Sequence, residues 1–335
     1  MSNSTIFITG ATGFIGSQVV LDTLKAGYRA RLSVRREAQI EELKTVFAGY
    51  DSQLEFFVIP DISKREAIQS ALAGVTYVFH IASPMPGAGE DFKTEYLYPA
   101  VNGTEAVLEA AAAVQTIKRV VIMSSLLALM PLGSTNTPGQ YITEGADVSE
   151  GVTPDIDLPS GPAGYGLKYT ASKILAHRAT IAWMVQHKPQ FKLITLHPSF
   201  VLGHDLVQKT AKPATVNAWV LGGIASGTPP ILASFVNVRD VSLANLHAID
   251  APLNEGAPLT EVILGGSSTT WEAVGKFIKE KYPDVECKIE GTFPAPFVAD
   301  GSRAERDFGI RWASAEETIS QVLDQQALFK QRAGL

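Results

Sequence analysis

Thr5-Ile-Phe-Ile-Thr-Gly-Ala-Thr-Gly-Phe-Ile-Gly16 runs from an apolar, β-branched pentapeptide into three regularly spaced glycines and then an amphipathic helical pattern. Each glycine has a physical use in such a strand–turn–helix unit. Gly10 permits a tight turn off the strand, Gly13 lets the backbone approach a pyrophosphate, and Gly16 lets helix and strand pack closely. Free N–H groups at the helix start would face the phosphates, so Gly10, Thr12, Gly13, Phe14, Ile15 and Gly16 are expected to form the cradle. The spacing is G-x-x-G-x-x-G, a weak signal by itself; its weight comes from following a strand and opening a helix. The alternative is a glycine-rich turn without a ligand.

Outward from this turn, short β-branched runs alternate with helical patterns. Strands are expected at Thr5–Thr9, Ala30–Val34, Leu54–Ile59, Tyr77–Ile81, Val120–Ser124 and Leu193–His197. Helices are expected at Gly13–Ala26, Ala38–Phe47, Lys64–Leu72, Val101–Val114 and Tyr169–Gln186. Alternation of this kind implies βαβ units and a parallel sheet covered on both faces. The fold class is therefore α/β, a Rossmann-type doubly wound parallel sheet with a smaller C-terminal substrate lobe. Residues 1–198 are assigned to the dinucleotide domain, with a return to the sheet near 235–248 from Phe235–Asp240, and 199–335 mainly to the lobe. Helices are expected there around Val216–Ala225, Trp271–Lys281 and Ala315–Leu328. Pro131 to Gly164, rich in Gly, Pro, Ser and Thr, has the look of a binding loop.

The end of the second strand separates the two nicotinamide dinucleotides. NAD sites commonly place a carboxylate there for the ribose 2′-hydroxyl. This chain instead has Arg31-Leu-Ser-Val-Arg35-Arg36. Guanidinium groups suit a bidentate grip on a 2′-phosphate, so Arg35 first and Arg36 second point to NADPH/NADP. A pair of solvated surface arginines is the alternative.

Tyr169-Thr-Ala-Ser-Lys173 opens a helix on this reading, which places the phenol and the amine one turn apart on one face. An ammonium beside a phenol is expected to lower its pKa from the usual value near 10, and the tyrosine can then protonate an alkoxide. Ser124 and Ser125 end an apolar strand, at the sheet edge where ligands bind in open α/β folds. Side chains alternate along a strand, so only one serine should face the reacting carbonyl; Ser125 is preferred, with Ser124 nearer the nicotinamide. Capping by both is the alternative.

Taken with Asp61-Ile62, His80-Ile-Ala-Ser-Pro84, Asn102-Gly-Thr104, His197-Pro198-Ser199 and Val238-Arg-Asp-Val241, these motifs resemble the extended short-chain dehydrogenase/reductases. Within them the chain is similar to the dihydroflavonol-reductase-like branch, which includes cinnamoyl-CoA reductases and yeast ketone/methylglyoxal reductases. The resemblance implies that Asp61 and Ile62 contact the adenine and that Ala82 and Ser83 line the cofactor channel. It also implies that Pro198 and Ser199 lie beside the nicotinamide and that Lys173 holds the ribose hydroxyls; Asn102 is implied as structural support. Val201 is grouped with the cofactor residues. Three positions depart from the family pattern: His177 replaces a common glutamate, His197 a common asparagine and Asn245 a common histidine.

The substrate cleft is expected among Ser83–Pro86, Phe92, Tyr96, Leu126, Leu127, Tyr165, Phe200, Val201 and Ile224, with Pro84, Phe92, Leu126, Leu127, Tyr165 and Phe200 foremost. Such hydrocarbon suits a small ketone or aldehyde. A net charge of −6 over 335 residues argues against nucleic acid as a partner. One cysteine, Cys287, excludes an intrachain disulfide, and the histidine spacing suggests no metal. The most apolar segment, Val120 to Leu132, is too short to span a bilayer. A cytoplasmic monomer or homodimer that reduces a carbonyl is the leading expectation. A nucleotide-sugar epimerase or dehydratase and a non-catalytic NADP-binding sensor are the alternatives.

Overall fold

The computed structural model describes residues 4–85, 87, 89–213 and 215–333. Its strands are, in chain order, β1 (Thr5–Thr9), β2 (Arg29–Val34), β3 (Leu54–Val58), β4 (Tyr77–His80), β5 (Arg119–Met123), β6 (Tyr141–Ile142), β7 (Lys192–Pro198), β8 (Phe200–Leu202), β9 (Phe235–Asn237), β10 (Thr260–Leu264) and β11 (Val298–Ala299). Between them run α1 (Phe14–Lys25), α2 (Ala38–Val46), α3 (Arg65–Ala71), α4 (Tyr98–Ala112), α5 (Pro162–His187), α6 (Thr215–Ser226), α7 (Val238–His247), α8 (Trp271–Lys281), α9 (Ser302–Phe308) and α10 (Ala315–Ala333).

Seven strands form one sheet in the order β10-β7-β5-β4-β1-β2-β3, and every neighbouring pair is parallel. The chain reverses its direction of travel across the sheet between β1 and β4, the place where ligands bind in doubly wound folds. Why both faces are covered can be followed residue by residue. On β1, Ile6 and Ile8 enter one core cluster while Phe7 enters the other. On β5, Val121 and Met123 join the first, and Val120 and Ile122 the second. Alternate side chains leave a strand on opposite faces, so a continuous apolar run is buried only if helices cover both. Helices α1 and α7 supply Val19, Val20, Val241 and Ala244 to the first cluster; α3 and α4 supply Ile68, Val107 and Leu108 to the second.

Two expectations are corrected here. The return to the main sheet is made by β10, whose Thr260 pairs with Ile194, and not by the segment near 235–248. Phe235–Asn237 instead pairs with Phe200–Leu202 in a separate two-stranded sheet. The strand stops there because the Asn237 side chain accepts the Arg239 N–H and caps α7, turning the chain out of extended geometry. Secondly, the helix carrying Tyr169 begins well before that residue, at Pro162. Gly161 takes φ +71 before it, and a proline in the first turn has no N–H to leave unpaired.

Beyond the sheet, α6, α8 and α10 pack around a third cluster that includes Val220, Trp271, Ile278, Ile319 and Val322. Among the described residues, no helix is long and apolar enough to cross a membrane.

Candidate active site

The glycine turn is built against the loop leaving β4. Gly10 has φ +77, and a Cβ there would lie 2.7 Å from the Ala82 nitrogen; a Cβ on Gly16 would overlap the Gly10 carbonyl oxygen. Thr9 ties the two turns together. Its Oγ1 accepts the N–H groups of Ile81 and Ala82, each at 3.1 Å, and pairs with His80 Nδ1 at 2.9 Å. At the start of α1, Gly13 provides no capping side chain and the first turn holds no acid. The N–H groups of that turn are therefore available to an anion, as the phosphate cradle requires.

At the end of β2, the backbone N–H groups of Arg35 and Arg36 donate to Gln39 Oε1 at 2.9 and 3.2 Å. Both side chains are exposed, and neither guanidinium has a hydrogen bond or ion pair among the described residues. Arg31 differs: it donates to Glu55 and to the carbonyls of Ala71 and Ala73, a structural clasp on β3. Asp61 accepts from Ser63 N and Oγ at 2.9 and 2.7 Å, and Ile62 lies against Gly103 of α4.

The serine, tyrosine and lysine meet at the C-terminal edge of β5. The Ser124 N–H donates to the Leu196 carbonyl at 2.8 Å, prolonging the ladder to β7. Ser125 then takes an extended conformation and caps a short 3₁₀ turn over Leu126–Leu129, its Oγ accepting the Leu127 N–H at 3.2 Å. That bond uses a lone pair and leaves the hydroxyl hydrogen free to donate. Lys173 Nζ lies 5.4 Å from the centre of the Tyr169 ring and donates to Ser83 Oγ at 2.8 Å. The α5 helix thereby reaches the loop that leaves β4.

The electrostatics differ from the expectation of a lowered phenol pKa. Burial pushes Tyr169 up to about 12, against a smaller downward pull from the Ser125 hydroxyl. Burial also pushes Lys173 down to about 8. Burial is the largest cause of both shifts. Tyr169 is thus a neutral O–H donor at neutral pH, and Lys173 is mostly an ammonium.

The expected pocket residues separate into two groups. Leu126, Phe92, Val201 and Ile224 are buried in core clusters, so they support walls rather than form them. Tyr96 is also fully buried, its hydroxyl donating to the Gly89 carbonyl and accepting the Gly87 N–H. Ala82, Ser83, Pro84, Leu127, Tyr165 and Phe200 retain surface, and Phe200 lies 6.2 Å from the half-exposed ring of Trp219. Pro86 lies outside the described residues. Pro198 and Ser199 are buried at the end of β7, where the Ser199 hydroxyl donates to the Gly265 carbonyl at 2.9 Å.

Some site residues had no signal in the motifs. Glu90 accepts from the Gly161 N–H, the Tyr165 hydroxyl at 2.7 Å and Lys168 Nζ at 3.0 Å, which hold its carboxyl down at about 2. It clasps the loop after β4 to the start of α5. Glu261 is the one charged residue of strand β10; it pairs with His177 Nε2 at 2.8 Å, and His177 meets the ring of His197 edge-on at 4.9 Å. A lone carboxylate within a buried strand was the available clue, but the sequence reading places no strand at that segment.

Comparisons with known proteins agree with this architecture. The NAD dependent epimerase/dehydratase family matches residues 6–263. The ketoreductase sphI of Aspergillus fumigatus is 37% identical over 339 residues, covering 98% of this chain and 99% of its own. Aldehyde reductase 2 of Sporidiobolus salmonicolor is 30% identical over 307 residues, covering 89% of this chain and 85% of its own. The crystal structure of yeast methylglyoxal/isovaleraldehyde reductase Gre2 complexed with NADPH superimposes with a TM-score of 0.83 at 22% identity, covering 98% of this chain and 99% of that one, a likeness of fold. With its glycine turn, parallel sheet and Ser–Tyr–Lys edge, the chain belongs to the NAD dependent epimerase/dehydratase family, the extended short-chain dehydrogenases/reductases.

Proposed function

We propose that the protein is an NADPH-dependent carbonyl reductase acting on a small ketone or aldehyde. The observation that carries this reading is the convergence of a Ser125 hydroxyl, a neutral Tyr169 phenol and the Lys173 ammonium at the carboxyl edge of β5. The similarity to a ketoreductase and an aldehyde reductase over nearly the whole chain supports it. The cofactor also fits: the uncapped start of α1 offers N–H groups to a pyrophosphate, and Arg35 and Arg36 offer unpaired guanidiniums to a 2′-phosphate.

When bound, NADPH supplies the hydride. The chain's own residues do the rest. Ser125 donates its hydroxyl hydrogen to the substrate oxygen and polarises the carbonyl. Tyr169 protonates that oxygen as negative charge develops on it. Lys173 keeps positive charge beside the resulting phenolate, and its bond to Ser83 keeps it oriented. Ala82, Ser83, Ser124, Pro198 and Ser199 border the channel, and Asp61 and Ile62 lie toward the adenine end. Apart from β10 and α7, which belong to the main sheet and its cover, residues 199–335 mainly supply the lobe over the substrate, with Phe200 facing it. A cytoplasmic location and a monomeric or homodimeric state complete the proposal.

The test is oxidation of added NADPH by purified protein across a panel of aliphatic ketones, aryl ketones and aldehydes. Substrate-dependent loss of absorbance at the reduced-nicotinamide band is expected, with NADPH preferred to NADH. Conversion of a nucleotide sugar without net consumption of cofactor would overturn the reading in favour of an epimerase.

A further inference from the structure

Beside Lys173 lies a small cavity of about 30 Å³. Its lining includes Lys173, His177, His80, Ser124, Thr180 and Thr195. This is polar space large enough for a water, which needs a probe volume of roughly 10–15 Å³ and two to four polar partners.

The hydrogen bonds around it determine what each histidine offers. Thr9 Oγ1 already accepts two backbone N–H groups, so both its lone pairs are used and its own hydrogen goes to His80 Nδ1. The proton of the His80 ring is then on Nε2, and burial keeps that ring neutral, its pKa pushed down to about 4. His177 has the opposite arrangement. Burial works to raise the Glu261 carboxyl, but the His177 and Gly145 hydrogen bonds outweigh it and keep it ionised. A carboxylate only accepts, so His177 donates from Nε2; in the neutral ring Nδ1 is then an acceptor, and it is buried with no partner among the described residues. The residue is 7% exposed, and Glu261, which takes the other end of the ring, is not part of the cavity lining. His197 contributes no free nitrogen: Nδ1 meets the Ser125 carbonyl and Nε2 the Thr195 hydroxyl.

We propose that the cavity binds an ordered water that accepts from Lys173 Nζ and His80 Nε2 and donates to His177 Nδ1, making His177 a positioning residue for the Lys173 ammonium. The positioning role rests on the reductase reading; the water site does not. The residues that line the space thus carry one acceptor and two donors, which would use three of the four bonds a water can make. Without the water, Nδ1 would stay an unsatisfied buried acceptor. Through it, His177 favours the charged form of an amine that burial disfavours. The titratable groups around that amine are Tyr169 and His177 on α5, His80 at the end of β4 and His197 on β7, with Glu261 of β10 behind His177.

Two amide variants separate the cavity end of the ring from the Glu261 end. An asparagine amide oxygen can occupy the place of Nδ1 and still accept from the water, whereas a glutamine amide reaches the place of Nε2 and contacts Glu261 only. Lys173 is titrated by NMR in protein carrying 13C-labelled lysine, and kcat and KM are measured beside it. In His177→Gln the Lys173 titration should move about one pH unit lower, and kcat should fall about tenfold with KM for NADPH little changed. His177→Asn should rescue most of both. Equal shifts in the two variants, or a Lys173 titration unmoved in His177→Gln, would overturn the proposal. A high-resolution crystal structure should show the water about 3 Å from Nζ and Nδ1; a dry cavity would also overturn it. A water seen in a protein that reduces no carbonyl would instead reject the reductase reading and leave the site standing.

Discussion

The Nδ1–H of His197 meets the carbonyl oxygen of Ser125 at 3.0 Å, so β7 holds the backbone of the residue whose hydroxyl acts on Tyr169. Burial depresses the His197 pKa and keeps the ring neutral, and the Ser125 carbonyl, which only accepts, fixes one tautomer. His197→Leu removes one of that carbonyl's two donors, the Ala128 N–H at 3.0 Å remaining, a loss of about 0.5–1.5 kcal/mol. The expected result is a lower denaturant midpoint together with a lower kcat. His197→Asn, which can still donate to the carbonyl, should recover most of both; a leucine variant with unchanged stability and kcat would refute this role.

Tyr169→Phe removes the proton donor and keeps the ring. Turnover should fall by about a hundred- to ten-thousandfold. NADPH affinity, read by quenching of protein fluorescence, should stay within a few-fold. Near-normal turnover would reject Tyr169 as the donor.

Arg35→Ala should raise KM for NADPH by roughly ten- to a hundredfold, the range expected for losing charge-assisted hydrogen bonds of about 1.5–3 kcal/mol. KM for NADH, which has no 2′-phosphate, should change little. The same increase with both cofactors would remove the assignment.

The alkaline limb of kcat/KM should reflect Lys173. Its folded pKa is near 8, below the ordinary 10.5, so the ammonium is present below about pH 8 and the rate should fall above it. Stability runs the other way at this residue. Between pH 8 and 10.5 the unfolded chain binds a proton that the folded chain does not, so the residue's cost to folding shrinks as pH rises. Tyr169, near 12, stays protonated across the range. Rates and melting temperatures measured side by side should therefore separate: activity is lost above about pH 8 without a matching loss of stability from this group. A rate that stays flat to about pH 10 would contradict it.

Much of this protein was legible in local sequence because the signals were local. Gly10 and Gly16 are needed by backbone contacts within a few residues of themselves or with the turn beside them. The apolar runs of β1, β4 and β5 announce a sheet covered on both faces, and the Tyr169–Lys173 spacing is intrinsic to a helix. The motif set then placed Ser125 and the arginine pair within the same scheme.

Long-range relations were decided only by the tertiary structure. Whether Phe235–Asn237 or Thr260–Leu264 completed the main sheet depended on distant pairing with β7, and both segments are suitably apolar. Burial depth did not follow from residue type, so Leu126 and Phe92 became core where pocket walls were expected. The Tyr169 pKa turned on how completely packing removes water, which no spacing encodes. The meeting of His177 with Glu261 joins residues 84 positions apart, and only the closed sheet brings them into contact. Sequence alone determined the chemical groups and their local geometry; the packed fold determined which of them lost their water and which neighbours they found in its place.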